Sequence, residues 1–103
     1  MLVYNISARV EDEVLEDWLY WMKNIHIPEV METGLFLDYK LMILLNDPLG
    51  DEYPGHTFII QYFADTLDQY DQYQLNHAPA LQQKFKDRYG DKVLTFRTLM
   101  QDV

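Results

Sequence analysis

A chain of 103 residues holds one domain, and with 49% hydrophobic and 15% aromatic residues it carries enough apolar surface to offset backbone ordering, which excludes global disorder. Eight Lys and Arg against seventeen Asp and Glu leave a net charge of −9, a field that repels phosphate backbones and anionic lipid, so nucleic acid and membrane surfaces are not expected as partners. The absence of cysteine removes disulfides, thiol nucleophiles and Cys-based metal sites, and suits a reducing cytoplasm.

From Leu2 to Val10 the residues alternate, with Leu2, Tyr4, Ile6, Ala8 and Val10 on one face and Val3, Asn5, Ser7 and Arg9 on the other, which predicts a strand. Asn5, Ser7 and Arg9 also cut the apolar start far short of the roughly 18 residues of a membrane span, so the expected location is the cytoplasm. Glu11-Asp12-Glu13 suits the first turn of a helix, and Val14, Leu15, Trp18, Met22 and Ile25 recur at helical spacing. Pro28 should kink or restart that helix and Gly34 should end it. Leu35 to Asn46 is apolar on both faces and reads as a strand sandwiched between two layers. A loop over Asn46 to His56, marked by Pro48, Gly50, Pro54 and Gly55, leads to a third segment at Thr57 to Ala64, a strand hairpinned with the one before it.

Thr66 and Gln69 stand at capping-box spacing before a second helix, which has Lys84, Lys86 and Arg88 in its last turn and Gly90 as a left-handed cap. Lys92 to Met100 forms a last strand, with Leu94, Phe96 and Met100 on one side and Val93, Thr95, Arg97 and Leu99 on the other. The order β-α-β-β-α-β closes most simply into a ferredoxin-like α+β domain, a four-stranded antiparallel sheet with both helices on one face. The bare face is expected to carry Val3, Ile59, Phe63, Val93 and Leu99 among Asn5, Ser7, Gln61, Thr95 and Arg97. Such a face is costly in water, so the sequence predicts a homodimer in which two sheets meet as a barrel-like core, with Lys40 alongside and Asn5, Gln61 and Arg97 fixing the interface.

His-x-Pro occurs twice, as His26-Ile27-Pro28 and His77-Ala78-Pro79, each late in a helix and each after an aromatic stripe. On a helical wheel His77 falls within the stripe of Leu67, Tyr70, Gln74, Leu81 and Phe85, and His26 at the margin of its helix's apolar arc. One reading makes both structural, satisfied by a carbonyl or a tyrosine hydroxyl. The other makes His77 and His26 proton-transferring groups in a cleft between helices and sheet, where Tyr4, Trp18, Met22, Tyr62, Tyr70 and Tyr73 bind a small organic molecule. His26 and His77 do not converge with Glu29 or Glu32, and Asp47, Asp51 and Glu52 lack calcium-loop spacing and read as solvated acid, so no metal is expected. No phosphate-cradling loop or serine elbow occurs, and no cofactor is expected.

Several stretches resemble a family of small uncharacterised bacterial proteins classed as a domain of unknown function. They are Tyr4-Asn5-Ile6, Trp18-Leu19-Tyr20-Trp21-Met22, His26-Ile27-Pro28-Glu29-Val30, Gln61-Tyr62-Phe63-Ala64, Ala78-Pro79-Ala80-Leu81, Arg88-Tyr89-Gly90 and Phe96-Arg97-Thr98-Leu99. The resemblance implies a dimeric α+β barrel and no established activity. The wider superfamily holds cofactor-free monooxygenases, isomerases, decarboxylases, haem-degrading enzymes and ligand sensors, among which fold alone does not choose. Haem-degrading members use an Asn, a Trp and a His, for which the resemblance offers Asn5 and His77, with Tyr62-Phe63 in place of the Trp. The alternation sets Asn5 on the face away from His77. Two hypotheses follow: a protein that binds or transforms a small molecule in an aromatic cleft, or a non-catalytic homodimeric module.

Overall fold

The computed structural model describes residues 1–48, 52 and 54–103, so Leu49, Gly50, Asp51 and Tyr53 lie outside it, and with them the Asp51 part of the expected acidic loop. Strand β1 (Leu2–Val10) buries Leu2, Tyr4, Ala8 and Val10 on one face, as its alternation predicts. Helix α1 (Asp12–Trp21) opens with Asp12 and Glu13 in its first turn and buries Trp18 and Trp21. It widens into a π-helical turn over Met22–His26 and resumes as α2 (Ile27–Glu32), which Gly34 ends with a φ of 73°. Pro28 explains the wide turn. Its ring would collide with the carbonyl four residues back, and the chain avoids this by letting Ile27 N–H donate to the Met22 carbonyl, five residues back.

The second predicted helix is two helices, α3 (Leu67–Asn76) and α4 (Ala78–Tyr89). Thr66 and Gln69 form both halves of the predicted capping box. His77 is the joint, with a φ of −125°: its N–H donates to the Tyr73 carbonyl at 3.0 Å, and its own carbonyl accepts from Leu81 N–H at 3.2 Å. The two His-x-Pro motifs both put a proline in the first turn of a helical segment, but only His77 breaks the backbone; His26 keeps helical dihedrals, and the chain runs on there through the π turn. Gly90 takes a φ of 57°, but its ψ of −126° lies outside the left-handed helical region expected of the cap, and a 3-10 turn (Gly90–Lys92) leads into β4 (Val93–Gln101).

The sheet is antiparallel in the order β2-β3-β1-β4, with β2 spanning Asp38–Ile43 and β3 His56–Ala64. This is the ferredoxin-like arrangement. Two expectations are corrected. The second strand is not sandwiched between layers: it is an edge strand, shorter than Leu35 to Asn46, with Tyr39, Met42 and Ile43 exposed. In the last strand the alternation holds but the faces are exchanged. Tyr4 pairs with Leu99, Ile6 with Arg97, Ala8 with Thr95 and Val10 with Val93, which puts Val93, Thr95, Arg97 and Leu99 on the helix side. The outer face carries Leu94, Phe96, Thr98 and Met100 instead, next to Val3, Asn5 and Ser7 of β1 and Ile59, Gln61 and Phe63 of β3.

On that outer face Arg9 is nearly buried. Its guanidinium pairs with Asp47 at 2.6 Å and donates to the Pro54 carbonyl at 3.2 Å and Thr57 Oγ1 at 3.3 Å, clamping the loop that precedes β3. Asp47, expected to be solvated acid, is thus an ion-pair partner of a nearly buried cation.

Candidate functional site

The residues expected around one cleft divide into two ring clusters. In the first, Tyr4 of β1 and Tyr62 of β3 stand opposite each other on the helix side of the sheet. Phe36, from the segment before β2, lies 5.2 Å from Tyr62 and 4.9 Å from Tyr73 of α3, and Tyr70 meets Tyr4 edge-on at 5.3 Å. His77 stacks on Tyr73 at 6.3 Å, at the outer end of this cluster. In the second, His26 lies flat on Trp21 at 4.7 Å, with Phe85 and Tyr89 of α4 completing the group. Trp18 belongs to neither, packing on Phe58 at 5.0 Å, and Met22 is buried in the π turn. The two histidines therefore sit against different rings. Phe36 and Trp21 were not expected as walls. Phe36 lies in a segment read as strand, and Trp21 was noted only as part of a stripe, so local spacing carried no sign of either contact.

Of the helical stripe drawn through His77, Leu81 is buried, Tyr70, Gln74, His77 and Phe85 are half-buried, and Leu67 is exposed. Hollows open elsewhere. One of about 780 Å³ runs along β2 between Leu19, Lys23, Tyr39, Ile43 and Phe58, and one of about 400 Å³ lies outside Trp21, between Glu29, Lys84 and Arg88. His77 and Tyr62 are not in their walls, and the space around Tyr73 is packed with rings.

The electrostatics are those of neutral donors. Burial pushes the Tyr62, Tyr70 and Tyr73 hydroxyls above the usual phenol range, so they stay protonated, and Tyr89, raised to about 12 by burial and by donating to Asp17 at 2.8 Å, does the same. Burial lowers His26 to about 4 against the pull of Glu29, and Arg97 and Lys84 add to the lowering, so its imidazole is uncharged near neutral pH. Among the described residues two buried polar atoms, Tyr62 Oη and Trp18 Nε1, have no hydrogen-bond partner.

Arg97 stands between the clusters. It was expected at the dimer interface with Asn5 and Gln61, but its strand partner Ile6 puts it on the helix side, where its charge acts on Tyr70, Tyr73 and His26. Asn5 and Gln61 do face outward and share a hydrogen bond of 3.1 Å. Asn5 and His77 are therefore on opposite sides of the sheet, and the pair a haem-degrading site requires is not assembled. Among the described residues no group of three or more His, Asp or Glu could hold a metal ion, and no helix is long and apolar enough to cross a membrane.

Fold and site together define a ferredoxin-like α+β domain with an aromatic interior under its helices. The chain belongs to the family described as domain of unknown function DUF4286, whose model matches residues 1–103. Among curated proteins none is a significant match. Among solved structures the chain is similar to a protein of the ethyl tert-butyl ether D (EthD) family from Bacillus halodurans, with 15% identity, a TM-score of 0.73 and all of both chains covered. It is also similar to an antibiotic biosynthesis monooxygenase, at 18% identity and a TM-score of 0.64, covering 100% of this chain and 99% of that one. A dimeric ferredoxin-like protein from an uncultured marine organism matches at 14% identity and a TM-score of 0.51, covering 99% and 97%. At these identities the likeness establishes the fold alone.

Proposed function

We propose that this protein is a homodimer, joined through the outer faces of its sheets, in which each protomer binds a small aromatic molecule in a chamber under its helices that ring packing closes in the free protein and that opens to admit the ligand. The observation that carries the ligand reading is the Tyr62 hydroxyl, which is unpartnered in a residue only 1% exposed. An orphaned buried donor costs about 1–3 kcal/mol, a penalty that a ligand oxygen accepting from it removes. Tyr4, Tyr70, Tyr73 and Phe36 supply flat apolar walls around that donor, and half-buried Tyr70 and His77 form the outer end through which a molecule enters. Protonated tyrosines and a neutral His26 suit binding and orientation, and His77, stacked on Tyr73, is our candidate for moving a proton. The dimer reading is supported by the apolar outer face, where Leu94, Phe96 and Met100 are exposed in the single chain.

A second reading, a non-catalytic module whose aromatics are core, is favoured by the close ring packing around Tyr73. Tyr62→Phe separates the two. On the ligand reading, ligand-observed NMR with a panel of phenols and aromatic acids detects binding to the wild type that weakens by about tenfold in the variant. If no compound binds the wild type and Tyr62→Phe simply melts at a higher temperature, the hydroxyl is an idle buried donor and the core reading stands.

A further inference from the structure

The ion pairs of the chain bear on the chemistry of that ligand. Arg9 is committed to Asp47, Lys84 to Glu29, Arg88 to Asp17, and Lys92 to Glu11 and Glu13. Arg97 has no carboxylate partner among the described residues, in a chain whose acids outnumber its bases by nine charges. Its guanidinium donates from Nη1 to Thr95 Oγ1 at 3.0 Å, two residues back on the same face of β4, which holds it on the helix side of the sheet. Lys23 and Lys86 are also without an ion pair, but they are exposed on the helices, and Lys40 lies over Phe63 on the outer face. Arg97 alone of these faces the aromatic interior.

Its neighbours fit an anion with a ring attached. Ile6, its cross-strand partner, is two residues from Tyr4, and Tyr4 contacts both Tyr70 and Tyr73. By ordinary strand spacing the Arg97 and Tyr62 Cα atoms are about 12 Å apart, a span that a guanidinium, a single substituted ring and a phenol hydroxyl bridge together. Two acids act on the same groups, Glu29 on His26 and Asp71 on Tyr70; Lys84 holds Glu29, and Asp71 makes no ion pair with Arg97. His26, kept neutral by burial, adds no second positive charge.

We propose that the chamber's ligand is an aromatic carboxylate, its carboxylate paired with Arg97 and its ring set against Tyr70 and Tyr73, an inference that rests on the ligand-binding reading above. A planar guanidinium suits a carboxylate because two parallel N–H···O bonds fix its orientation as well as its charge. The test titrates para-hydroxybenzoate and its uncharged amide, para-hydroxybenzamide, into the full-length protein by protein-observed NMR. Wild type binds the acid about tenfold or more tightly than the amide; Arg97→Met abolishes the difference, and Arg97→Lys restores part of it. Arg97 is exposed, and circular dichroism checks that both variants keep the fold. Equal affinities for acid and amide, or a preference that survives Arg97→Met, overturn the carboxylate assignment and leave the chamber standing. If neither compound binds, the chamber reading fails and this one fails with it.

Discussion

His26 shows how burial sets the behaviour of a single side chain. Its ring lies on Trp21 and near Phe85, and desolvation lowers its pKa from 6.5 to about 4. The unfolded chain therefore takes up a proton near pH 6.5 that the folded chain refuses until about pH 4. Stability is complete above the upper value and falls as pH drops through the window, by about 1.4 kcal/mol per unit. Asp17 and Asp102 are held below the ordinary carboxylate value of 3.8 and titrate beneath this window. Urea unfolding at about pH 7 and about pH 5 should show the wild type losing stability, and His26→Gln, which cannot be charged, losing markedly less. An equal loss in both proteins removes His26 as the source. At this scale much was legible: Tyr4 and Tyr62 were placed on the helix side by alternation alone. The separation of His26 from His77 was not, because Phe85 of the facing helix reaches His26 while His77 meets Tyr73 four residues before it, and only tertiary packing decides which.

Among the elements, the tightest constraint is where the loop before β3 passes the end of β1. Gly55 has a φ of 98°, and a Cβ built on it would lie 2.0 Å from the Val10 carbonyl oxygen, a group held at the end of the internal strand β1. Gly55→Ala combines an unfavourable backbone region with a clash that neither strand can relieve, so it should destabilise by about 3 kcal/mol or more, while Gly34→Ala, with open space around its Cβ site, should lose only about 1 kcal/mol for its φ. Comparable denaturation midpoints for the two variants would show that the loop yields. Helix starts, the capping box and the restart at Pro28 could be read locally because each is decided within about five residues, whereas the split of the second helix at His77 was not expected. The face of β4 could not. Its two sides are both half apolar, and only pairing with β1, some 90 positions earlier, decides which is buried. The expectation that made Arg97 an interface residue failed for that reason. The double-sided hydrophobicity of β2 likewise marks an exposed edge and not an internal strand.

At the scale of the whole molecule, exchanging the faces of β4 makes the outer surface more apolar than the sequence suggested, since Leu94, Phe96, Thr98 and Met100 stand there in place of Val93, Thr95, Arg97 and Leu99. Phe96 is 69% exposed and stands between two hollows, one of about 390 Å³ bounded by Leu94, Pro54 and Arg9, the other of about 170 Å³ bounded by Leu44, Pro48 and Thr57. A ridge beside a hollow is self-complementary under a twofold axis: in the proposed dimer the ring of each copy would fill the hollow of the other, which the clamp of Arg9 on Asp47 keeps shaped. Burying one such ring contributes about 2 kcal/mol, and both copies bury theirs, so Phe96→Asp should weaken association by about 4 kcal/mol, roughly a thousandfold in dissociation constant. The variant should remain folded, because Phe96 lies outside the buried core and is largely exposed in its own protomer. Sedimentation equilibrium at micromolar concentration should then give twice the 12.4 kDa chain mass for the wild type and the chain mass for the variant. A wild type that sediments at 12.4 kDa would leave this sheet face to water or to a different protein, and the twofold pairing would have to be abandoned.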